Sequence, residues 1–262
     1  MLKSACSRAV RAALLGLAIG LVGLGQAQEG KEVVVPEGEY PKLVDAQLKA
    51  VLEGLKALKE TTDKEQIKKM KDKARCGAVM IAAAAQDNLA GKDGQQRATV
   101  RDAALNLAAL VTGEKYDEAV KLAGELKGLK EDPKAKKEKI KLFEAHIDLK
   151  EVMSQFKQSK AGGQGVEKLL LNLATDKKKI VPPAAINDAL LTAIYQIALL
   201  SELAHDYVPP KDKKDWDIWS MDMKKGALEM ADKLKAKDGK AAFSALNKMT
   251  ASCSVCHERF KK

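Results

Sequence analysis

Apolar residues first fall into register at Leu43. From there Val44, Leu48, Val51, Leu55 and Leu58 recur at intervals of 4, 3, 4 and 3, the stripe of an amphipathic helix. A second helix is predicted from about Asp63 to Leu89. Its centre, Gly77 to Ala85, is rich in small residues that suit close packing, and Gly91 and Gly94 end it. A third covers about Gln95 to Val111 and a fourth Tyr116 to about Leu129, with Pro133 closing the set. The pattern then starts again. Lys134 to about Lys160 reads as one long helix, with Leu142, Ile147, Leu149, Val152, Met153 and Phe156 as its apolar positions. Gly162-Gly163-Gln164-Gly165 interrupts it, and Val166 to Ala174 resumes helix. Ala184 to Tyr207 lies between Pro182-Pro183 and Pro209-Pro210 and is apolar nearly all round, which predicts burial. Asp215 to about Lys235 and Lys240 to Phe260 complete the series. Everything points to an all-α fold.

The two halves resemble each other. Gln86-Asp87 followed by Lys92-Asp93 has the spacing of His205-Asp206 followed by Lys211-Asp212, and Ala104 to Ala108 matches Ala227 to Ala231 in the same order. The expected organisation is therefore two tandem four-helix-bundle lobes, 43–133 and 134–262, behind a charged leader at 28–42 that contains Pro36 and Pro41.

Residues 1–27 have another character. Lys3, Arg8 and Arg11 precede an apolar run from Ala12 to Leu24, and Gly25-Gln26-Ala27 offers a small-residue cleavage site. This is the pattern of a secretory signal peptide cut after Ala27, and the apolar run is short for a membrane anchor. The expected location is periplasmic or otherwise exported, with no membrane-spanning segment after cleavage. Loss of the three basic residues lowers the net charge from +10 to +7. The remaining lysines are scattered among acids on helix surfaces, which argues against nucleic acid as a partner. They suit solvated helix faces, or docking on an acidic protein.

The strongest chemical signal lies near the C-terminus, in Cys253-Ser254-Val255-Cys256-His257. C-x-x-C-H is the attachment signature of a c-type haem. Two thiols bond the vinyl groups of one porphyrin, and the histidine comes up beneath the iron. On a helix the three side chains leave one face, shared with Phe243, Leu246, Thr250 and Phe260. A zinc site needs four ligands, and Cys76, His146 and His205 are scattered along the chain. A thioredoxin-like pair needs a βαβ setting. In the first half the matching position, Lys130 to Lys134, has neither cysteine nor histidine, so that half is expected to carry no haem.

A C-x-x-C-H on the last helix of a four-helix bundle resembles the class II c-type cytochromes, the cytochrome c′ group. The resemblance covers about Lys139 to Lys262 and is densest at Asp217-Ile218-Trp219 and at His257-Glu258-Arg259-Phe260. It implies one covalent haem c on Cys253 and Cys256, with His257 as the proximal iron ligand. It also implies that the first helix of the second half faces the distal side, where Met153 is the candidate ligand and Val152 or Phe156 the apolar alternative. The reading favours a ligand-free distal face. The family arginine four residues beyond the histidine is Lys261 here.

The function this implies is single-electron transfer with a redox partner protein, and not an enzyme activity. The alternative is a five-coordinate haem protein that binds small gases such as NO or CO. His146, His205, Cys76, Trp216 and Trp219 read first as structural residues.

Overall fold

The structure, a computed structural model, describes residues 34–157, 163, 165–175, 188–207, 209 and 211–260. The side chains of His257, Arg259 and Phe260, the signal-like segment 1–27 and Lys261 lie outside the described set. Among the described residues the fold is all-helical, with nine α-helices and no strand.

Helix α1 (Tyr40–Glu60) starts three residues earlier than the apolar stripe suggests, because Pro41 sits comfortably in a first turn where no N–H is needed. The stripe from Leu43 to Leu58 is buried as expected. α2 (Lys64–Asp87) opens with Asp63, whose carboxylate accepts the Gln66 N–H at 2.8 Å. Small residues bring α1 and α2 close together. A Cβ on Gly77 would stand 2.8 Å from Val51 Cγ2, and one on Gly54 would stand 3.1 Å from Ala74 Cβ. α3 (Gly94–Thr112) and α4 (Tyr116–Glu125) follow, with a short 3-10 turn at Leu126–Gly128. α1 packs on α2 and α4, α2 on α3, and α3 on α4.

The part of the leader that is described is not free. Val34 and Val35 are buried, and the Val35 N–H donates to Asp87 Oδ2 at 2.8 Å.

The long helix predicted from Lys134 does not form. Residues 129–148 run as an irregular strap along α2 and α3, and helix appears only at α5 (Leu149–Phe156). A few backbone groups of the strap pair with each other, as the Glu144 N–H does with the Ile147 carbonyl, and others find side-chain partners. Arg101 donates to the carbonyls of Lys136 and Glu138, Gln95 to those of Asp132 and Ala135, and Arg75 to that of His146. Leu142, Phe143 and Ile147 anchor the strap in the core. The basic run from Lys134 to Lys141 would have stacked like charges along a helix. The helix starts where Asp148 and Glu151 form a reciprocal capping box.

α6 (Val166–Thr175), α7 (Asp188–His205), α8 (Lys213–Lys235) and α9 (Gly239–Phe260) complete the chain. α7 packs on α8 and α8 on α9, while α5 reaches α6 and α7, and α6 reaches α9. α7 also lies against α1 and α2, so the buried apolar residues form one continuous core. Each fully buried Leu or Ile in it contributes about 1.5–3 kcal/mol.

Candidate functional site

Cys253 and Cys256 both lie on α9 and are half-buried. Neither is in a disulfide. Helical spacing of i, i+3 sets them on one face of the helix. The Cys253 thiol rests against α8, with Sγ 3.3 Å from Met223 Sδ. Burial pushes the Cys253 thiol up to about 11, with the neighbouring Cys256 adding to the shift. Burial alone pushes Cys256 up. Both sulfurs are therefore protonated thiols at neutral pH. The backbone of His257 continues α9.

Cys256 opens onto a small apolar pocket walled by Trp216, Trp219 and Met223 of α8 and by Met153 of α5. The α8 residues are spaced 216, 219, 223, one helical stripe. Trp216 is almost fully buried and its Nε1 donates to the Ala204 carbonyl at 2.9 Å. Its ring meets Tyr207 edge-on at 5.2 Å, and Tyr207 meets Phe143 of the strap at 5.9 Å. An aromatic ladder thus ties the pocket wall to the strap. Burying each such ring fixes the wall firmly.

His205, at the end of α7, sits behind this wall. Its Nδ1 is 2.9 Å from Ser220 Oγ, and Ser220 in turn donates to the Trp216 carbonyl at 2.9 Å. His205 thereby braces the pocket from outside. His146 stands in the strap, where its backbone carbonyl accepts from Arg75. Cys76 is buried in α2 among alanines, and burial pushes its thiol up to about 12. It is an inert core residue.

Of the residues singled out from sequence, the structure brings Cys256 and Met153 onto one pocket, with Cys253 adjoining through Met223. Leu246, expected on the ring-facing side of α9, is instead fully buried in the core, and Phe156 packs against the core away from the pocket. Met223 was missed. The signal was present, since it continues the Trp216–Trp219 stripe by one more turn.

The donor set fits a flat apolar group that bonds two thiols: two free sulfhydryls a turn apart, beside a wall of indole and thioether. The space is smaller than such a ring. The pocket has a volume of only about 20 Å³, against roughly 300–1,000 Å³ for pockets that enclose drug-sized ligands.

Comparison of the chain with family models, with curated proteins and with solved structures returns no match.

Proposed function

We propose that this chain is an exported monohaem c-type cytochrome of class II character that carries single electrons. One observation carries the reading: the two thiols of a C-x-x-C-H helix are unpaired and adjoin an apolar, aromatic-walled pocket. Cys253 and Cys256 would hold haem c covalently, and His257 would stand beneath the iron. Bound there, the haem supplies an Fe(III)/Fe(II) couple. The apolar wall keeps water away from it, which helps set the potential. Met153 shares the Cys256 pocket, and this favours a methionine-ligated carrier over the open, gas-binding alternative.

The helices of the first part, residues 43–133, form the haem-free counterpart of the second part, residues 134–262. The packing pattern supports this. α1 touches both α2 and α4, and in the second part α5 touches α7 while α6 touches α9, so α5 and α6 share the place of α1. Lysines on the helix surfaces suit docking on an acidic redox partner.

The experiment is attachment. Protein exported by a host competent in haem attachment should retain one haem per chain through acid–acetone extraction. Cys253→Ala with Cys256→Ala should release it. Extractable haem in the wild type would sink the proposal.

A further inference from the structure

Two soft donors, Cys253 Sγ and Met223 Sδ, stand 3.3 Å apart. Cys256 and Met223 line one pocket, and Cys253 lies one helical turn before Cys256 on α9. Three sulfurs from two helices therefore converge. We propose that the reduced, haem-free chain binds one Cu(I) ion through the sulfurs of Cys253, Cys256 and Met223.

The geometry suits the ion. First-row metal–sulfur bonds are about 2.3 Å long, so two sulfurs on one metal stand within about 4.6 Å of each other. The Cys253–Met223 contact already lies inside that limit. Thiolate and thioether donors select Cu(I) among the biologically common cations. Harder ions find no equivalent cage: among the described residues no group of three or more His, Cys, Asp or Glu converges on a metal position. The indoles of Trp216 and Trp219 line the same apolar pocket as Cys256 and Met223. Binding is proton-balanced. Two thiols each release one proton, two Cu–thiolate bonds form, and the neutral thioether donates a lone pair. No electron moves.

The site exists only while the thiols are free. Covalent haem converts both to thioethers, so Cu(I) and haem attachment exclude each other on the same chain. The proposal uses the residues of the haem reading but does not depend on it.

The test uses the full-length chain made without haem attachment, kept reduced and anaerobic, and titrated with Cu(I) against bathocuproine disulfonate as competing chelator. The expected result is one Cu(I) bound per chain, with about two protons released. Met223→Leu, which conserves volume, should weaken binding at least about tenfold, while circular dichroism stays unchanged. X-ray absorption at the copper edge should count three sulfur neighbours. Affinity equal to that of the Cys253→Ser/Cys256→Ser variant, or unchanged by Met223→Leu, would overturn the site. So would binding lost in His257→Ala but kept in Met223→Leu. Covalent haem without Cu(I) binding by the haem-free chain would reject this proposal alone. Cu(I) binding by a chain that never acquires covalent haem would reject the haem reading alone.

Discussion

The side-chain amide of Gln86 pairs with the backbone of Ile140 in both directions. Its Nε2 donates to the Ile140 carbonyl at 3.0 Å, and the Ile140 N–H donates to its Oε1 at 2.8 Å. A side chain here does what a neighbouring strand would do. Arg101, only 2 % exposed, does the same more deeply, donating to the carbonyls of Glu138 at 2.5 Å and Lys136 at 2.9 Å.

The two clamps should differ in cost. Hydrogen bonds to charged donors contribute about 1.5–3 kcal/mol each, and neutral exposed ones less. Arg101→Ala also leaves two carbonyls without a partner. It should lower stability by about 3 kcal/mol, and Gln86→Ala by about 1 kcal/mol. Urea midpoints measure both. Limited proteolysis should show new cleavage within 129–148 in Arg101→Ala, and equal resistance in the two variants would count against the strap.

Asp87 gives a pH signature. Burial raises its carboxyl above the ordinary range, an effect larger than the opposing pull of the Val35 N–H. The folded state therefore favours the protonated acid. Its contribution to stability is full below the unfolded value of about 3.9 and is lost as pH rises through the higher folded value. Asp87→Asn keeps an acceptor for Val35 without the charge. It should be the more stable protein at pH 7, with the advantage vanishing by about pH 4. Parallel urea midpoints from pH 7 to pH 4 would refute the assignment.

The thiols of the haem-free chain should be sluggish. A free cysteine titrates near 8.5, whereas Cys253 is pushed up to about 11 and Cys76 to about 12. At pH 8 the Cys253 thiolate fraction is smaller by about two orders of magnitude. Iodoacetamide labelling followed by mass spectrometry should modify Cys256 first, then Cys253, and Cys76 only on unfolding. Rapid labelling of Cys253 at pH 8 would mean that α8 does not cover it.

Met153 separates carrier from gas binder. On the carrier reading, the wild-type haem spectrum is six-coordinate and low-spin. Met153→Ala should turn it high-spin and open it to carbon monoxide. Identical high-spin spectra for both proteins would return Met153 to the core and favour the gas-binding alternative.

Eight of the nine described helices were legible in the chain, to within a few residues, because their stripes or small-residue runs recur at helical spacing. The stripe Leu43 to Leu58 is the clearest case. The strap was not legible. Leu142 and Ile147 look like helix positions in sequence, yet the partners that hold the strap, Gln86 and Arg101, lie 54 residues before Ile140 and 37 before Glu138. Local pattern carries no trace of such distant hydrogen bonds. α5 is the remnant of the predicted long helix, marked by Asp148 and Glu151. At the site, the cysteine spacing was plain, whereas the thioether beside Cys253 depends on how α8 turns against α9.

α7 has its own consequence for how the protein can be divided. It is buried on nearly every side, with α8 on one flank and α1 and α2 on another. A fragment that starts after Pro133 would carry a helix stripped of its cover by α1 and α2, and a fragment that ends there would leave the α7-facing sides of α1 and α2 bare. Fission of the gene, or a single cut by a protease, would yield two sticky products in place of two working modules. The helices from α1 to α9 are inherited and degraded as one.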